Sequence, residues 1–164
     1  MIGLAVGAAV VGLFVTLAVL NPNNYFETSE DAADYLQTRH YDMPEKSLDG
    51  ANDHYRKPYA VQEIERILSE QKTYGRSWKV VQTLTEKDSA IIRAEVPVLI
   101  FTNDLEVRIQ FAPAENVNSS RRKATVNIRS ASRIASSDLG ENRRHVKQLL
   151  DEFDFAFGND RINL

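Results

Sequence analysis

The chain has 164 residues, 43% of them apolar, and a formal net charge of −3. That length fits one domain with its own core, and the acidic balance argues against a general nucleic-acid binder. Cysteine is absent, which excludes disulfides, thiolate metal sites and lipid attachment through an N-terminal cysteine.

Residues 1–20 contain no charged side chain, and Thr16 is the most polar among them. Twenty helical residues span roughly 30 Å, the thickness of a bilayer's hydrocarbon core. A cleaved signal peptide is the rival reading, but it needs a basic leader and a small residue before the cleavage site. No Lys or Arg precedes the run, and Leu20 stands where a small residue is wanted. An uncleaved transmembrane anchor is therefore expected over residues 1–20. Gly3, Gly7, Ala8 and Gly12 repeat a small-xxx-small spacing that lets a second helix approach closely. Beyond it, Glu27, Glu30, Asp31 and Asp34 precede the first basic residue, Arg39. An acidic flank suits the translocated side, so the N-terminus is expected in the cytoplasm and the domain in the periplasm or a lumen. The membrane itself would be a bacterial inner membrane or a thylakoid membrane.

Asn21-Pro22-Asn23-Asn24 stops the anchor helix. An acidic linker over 21–35 leads to a globular domain over 36–158, and 159–164 form a tail. Within the domain, residues 38–42 read as a short strand ended by Pro44, and 47–56 as a loop. Pro58 opens a helix with Ala60, Val61, Ile64, Ile67 and Leu68 on one face, and Gly75 closes the segment. From Trp78 the period becomes two. Strands are expected over 77–85 and 90–101, with a turn at 86–89 and with Pro97 at a bulge or an edge. Residues 102–104 are expected to turn the chain. Leu105, Val107, Ile109 and Phe111 then alternate with polar residues, a polar loop follows over 112–122, and Ala124, Val126 and Ile128 alternate again. A last helix is expected from Asp138, with Leu139, Val146, Leu149, Leu150, Phe153 and Phe157 as its stripe and Gly158 as its end. Hairpin-linked strands with helices at either end imply an α+β fold: a curved antiparallel sheet with two main helices on one face, preceded by the transmembrane helix.

Residues 129–143 read R-S-A-S-R-I-A-S-S-D-L-G-E-N-R. Asp138 and Glu141 have the spacing of a D-x-x-E capping box. The helix start offers backbone N–H groups and a positive dipole end. Arg129, Arg133 and Arg143 could converge there with the hydroxyls of Ser130, Ser132 and Ser136 and with Asn142 on a small anionic ligand. The structural alternative is that Asp138 caps the helix and Asn142 ties down the turn. Arg129 and Arg133 would then pair with acids on neighbouring strands, such as Glu95 or Glu106. No catalytic residue is assigned: G-x-S-x-G is absent, and His145 lies too far along its helix to serve Ser132. Neither H-E-x-x-H, an EF-hand loop nor G-x-G-x-x-G occurs, so no metal or cofactor is expected.

The same stretch, R-S-A-S-R-x-x-x-S-D-L-G-x-N-R, resembles the signature of the family known as domain of unknown function 1499. Leu36-Gln37-Thr38-Arg39-His40-Tyr41 is similar to its L-x-T-R-x-Y entry strand. Ala94-Glu95 and the segment 101–107 are similar to its A-E…F-x-D-D-v-x-V hairpin. Asn24 stands where members often carry cysteine, and Ala135 where many carry glycine. The resemblance implies the fold and a membrane neighbourhood, since members occur in proteobacteria, cyanobacteria and plastids, often with an anchor. The expected role is a non-catalytic accessory or assembly subunit of a photosynthetic or respiratory membrane complex. Its partners would be that complex and the lipid bilayer, with no nucleic acid. The alternative is a periplasmic or lumenal binder, or enzyme, for a small anion at the Arg133/Asp138 turn.

Overall fold

Period-two alternation of apolar residues builds the sheet. In a computed structural model, which describes residues 34–44, 58–98, 101–113, 121–133 and 140–158, the elements run in the following order. They are β1 (Asp34–Pro44), α1 (Tyr59–Glu70), β2 (Lys72–Thr73), β3 (Arg76–Ser77), β4 (Lys79–Thr85), β5 (Ser89–Val98), β6 (Phe101–Phe111), β7 (Arg121–Ser132) and α2 (Glu141–Phe157). Five strands form one antiparallel sheet in the order β1-β7-β6-β5-β4, and β2 and β3 make a separate two-stranded hairpin. The expected anchor, with Gly3, Gly7, Ala8 and Gly12, lies outside the described residues, as do most of the linker and the tail. Among the described residues no helix is long and apolar enough to cross a membrane.

One face of the sheet is closed. Ile92, Ala94 and Val96 of β5, Leu105, Val107 and Ile109 of β6, and Ala124, Val126 and Ile128 of β7 are buried there. They share one core with the stripes of α1 (Ala60, Val61, Ile64, Ile67, Leu68) and α2 (Val146, Leu149, Leu150, Phe153, Phe157). Tyr41 of β1 stands among Phe153 and Phe157, with ring centroids 6.4 and 5.9 Å away, and its hydroxyl donates to Asp154 at 2.9 Å. The opposite face carries the polar half of each strand, as a half-covered antiparallel sheet should. Arg93 and Arg108 both pair with Glu106 across it, at 2.8 and 2.5 Å.

Several boundaries differ from the sequence reading. The first strand begins at Asp34, four residues early, because all eleven of its residues pair with β7. Residues 102–104 do not turn the chain but continue β6. Asn103, which reads as a turn residue, is instead buried and hydrogen-bonded to Asn142. Pro97, by contrast, takes the expected edge position: the β4 pairing stops at Glu95, so its missing N–H meets no ladder on that side. The bulge falls in β4, between Val80 and Gln82. The edge strand β1 is guarded, since Arg39 folds back to donate to the carbonyl of Thr38 at 3.1 Å.

Burial sets the stability ranking. Leu149→Ala removes a fully buried side chain between helix and sheet and should cost about 2–5 kcal/mol in urea unfolding. Phe155→Ser, at a position 91% exposed on the same helix, should stay within about 0.5 kcal/mol of the parent.

Candidate functional site

The motif 129–143 begins as strand, and a strand sends neighbouring side chains to opposite faces. Ser130 and Ser132 therefore point to the helix side, opposite Leu105 and Asn103 of β6, whereas Arg129 lies on the outer face opposite Glu106. Arg133 joins it outside, donating to Asp104 at 2.5 Å and to Glu95 at 2.9 Å. Both carboxylates hold the guanidinium well above its ordinary range. The serines and arginines expected to share one anion thus occupy two sides of the sheet. Arg143 is half-buried on the first turn of α2. Ser136 and Asp138 lie outside the described residues.

What the motif builds is a buried polar corner. Ser130 is fully buried and Asn142 is 1% exposed. Asn142 Oδ1 accepts from Ser130 Oγ at 2.7 Å and from Asn103 Nδ2 at 3.0 Å. One amide oxygen therefore ties the first turn of α2 to the two strands beneath it. The helix itself starts at Glu141 rather than at Asp138. Gly140 takes the N-cap with φ +81°, a left-handed conformation that favours glycine.

Beside this corner lies a second buried cluster that the sequence reading did not assign. The Glu141 carboxylate accepts from the Tyr74 hydroxyl at 2.6 Å and pairs with Arg144 at 2.8 Å. Arg144 also lies over the Tyr74 ring, 5.5 Å from its centroid. His145 is fully buried, with Trp78 edge-on at 5.6 Å. Its Nε2 lies 3.4 Å from Glu141, out of hydrogen-bond alignment, and neither ring nitrogen has a hydrogen-bond partner. Burial pushes the Glu141 carboxyl up, but the neighbouring imidazole, Arg144 and Tyr74 outweigh it and hold the group down to about 2. Burial dominates for His145 and keeps it below its ordinary value, so the ring is neutral at pH 7. The signal was present in the sequence: residues 141, 145, 149, 153 and 157 follow one helical stripe, which places Glu141 and His145 in line with the core.

Open grooves lie elsewhere. One of about 280 Å³ on the outer face includes Arg93 and Arg129 together with Asp104 and Glu106, a balanced set of charges with no bias toward an anion. Another of about 370 Å³ is lined by His40, Gln110, Pro113 and Thr125 among others, and there His40 Nδ1 is held by Thr125 Oγ1 at 3.1 Å. Among the described residues no group of three or more His, Cys, Asp or Glu side chains could hold a metal ion.

Two expectations follow. Asn142→Ala strands two buried donors and should cost about 2–4 kcal/mol, whereas Arg133→Ala, at an exposed ion pair, should cost under about 1 kcal/mol; urea unfolding of both variants ranks them. In the second, acid weakens the fold in two steps. A neutral buried His145 stabilises fully above pH 6.5, its unfolded value, and that contribution shrinks as pH falls below it. The depressed Glu141 adds on the order of 3 kcal/mol above pH 4.5, lost as pH falls toward about 2. Urea midpoints measured from pH 7.5 to 3 should fall in the parent and flatten below pH 4.5 in Glu141→Gln.

A sequence model of the family described as "Protein of unknown function (DUF1499)" matches residues 15–153, and the chain belongs to that family. No curated protein and no solved structure matches it.

Proposed function

From membership of that family, we propose that the chain is a membrane-anchored accessory or assembly subunit of a larger membrane complex, photosynthetic or respiratory, with no catalysis of its own. One observation carries the reading: Ser130, Arg133 and Asn142 of the most distinctive motif are spent on the domain itself. Ser130 and Asn142 bond to each other inside, and Arg133 is neutralised outside by Asp104 and Glu95. A motif used in this way fixes a corner rather than gripping a substrate. The uncharged run over residues 1–20 and the acidic flank beyond it support an anchor with the domain outside the cytoplasm. Tethering would then concentrate the domain against any complex in the same membrane. Contacts with that complex would come from the small-residue face of the anchor and from the exposed outer face of the sheet, where Leu36, Val81 and Leu84 stand free of the core.

The rival reading, a small anion held at the Arg133 turn, is disfavoured by the same pairing, since an incoming anion must displace two carboxylates from one guanidinium.

Extraction in mild detergent followed by sizing separates the two. The accessory role expects co-migration with much larger subunits, and Gly7→Leu should release the domain while leaving its thermal unfolding unchanged. A lone 18.5 kDa protein in its detergent micelle, from native membranes and at every detergent tried, would overturn the accessory role.

A further inference from the structure

The β2–β3 hairpin is a six-residue flap, Lys72 to Ser77, that pairs with itself outside the main sheet and reaches α2 through Tyr74. Tyr74, at its tip, bonds to Glu141 and stacks under Arg144. At its base, Gln148 donates to Gln71 at 2.8 Å, and Trp78 Nε1 donates to Thr73 at 2.7 Å while the indole edge covers His145. The tip is strained: Tyr74 adopts φ +51°, a left-handed conformation that an aromatic residue seldom takes.

We propose that His145 is a proton-operated release for this hairpin, so that mild acidification lifts the flap from α2 while the rest of the domain stays folded. Closed, the imidazole is fully buried and no protein group hydrogen-bonds to either ring nitrogen. A proton placed on it there would create a buried cation. The nearest carboxylate, Glu141, is already shared between Tyr74 and Arg144 and is misaligned with the ring. Arg144 repels that cation and Glu141 attracts it. The hairpin side faces the ring with the neutral indole of Trp78. The described residues of α1, β1 and β7, which also pack against α2, add no charge that acts on it. The ring therefore takes its proton in the open form, where water solvates it. Linkage then raises the open population by up to about tenfold for each pH unit below 6.5. The hairpin is the element that yields, because it is short, strained at Tyr74 and packed against β5 without hydrogen-bonding into the main sheet.

Trp78, the chain's sole tryptophan, sits at the base of the flap, so its emission reports on opening there when dichroism shows the rest of the domain still folded. The full chain in detergent, titrated from pH 8 to pH 5, should show a red shift in Trp78 emission with unchanged far-ultraviolet dichroism. Amide exchange at 72–77, corrected for intrinsic rates, should gain up to about tenfold in opening per unit. In His145→Phe both responses should vanish. Tyr74→Phe keeps the imidazole but cuts one tether, and should move the emission midpoint to higher pH. Identical emission curves for the parent and His145→Phe would overturn the proposal. So would loss of dichroism in step with emission. Should His145→Phe not fold, an unshifted midpoint in Tyr74→Phe has the same force.

Discussion

The fold hangs on a strand's alternation meeting a helix start. In β7, Ser130 turns inward and Arg129 outward because adjacent side chains of a strand cannot share a face. The inward hydroxyl has to find a partner away from water, and the amide oxygen of Asn142 provides it while also accepting from Asn103. A single acceptor thereby sets the height at which α2 sits on the sheet. With that height set, Leu149 and Phe153 reach the core, and Tyr41 on β1 finds its aromatic neighbours.

The neighbouring cluster shows how the same helix start tolerates a buried charge. Glu141 occupies the first turn of α2, where the dipole favours an anion. Its two oxygens are then divided between a phenol from the hairpin and a guanidinium from its own helix. His145, one turn on, contributes shape rather than charge: neutral, it fills space beside Trp78 as an aromatic residue would. The corner therefore mixes a fully bonded polar group, Asn142, with an unbonded one, His145, within four residues. The first stabilises and the second makes the region conditional.

Much of this was legible in the chain. Both amphipathic helices, the alternating strands and the family motif could be read because each rests on a strict period. The reach of β1 back to Asp34 could not, since acidic residues give no strand signal until a partner such as β7 pairs with them. The turn expected at 102–104 failed for a related reason: Asn103 favours turns in isolation, and a long-range bond to Asn142 overrides that preference. The hairpin at 72–77 was invisible because its strands are two residues each, too short for any period. At the motif, R-S-A-S-R read as strand already separates serines from arginines, and the expected pairing of Arg133 with Glu95 is the one that forms.

The order β1-β7-β6-β5-β4 places the first strand beside the last. Thr38 meets Asn127 across 89 positions of sequence. On a ribosome, β1 emerges well before β7 and must wait for it before it can join the sheet, so the sheet closes late. In the finished sheet Arg39 folds over the Thr38 carbonyl, so the last strand to find its place carries its own cover.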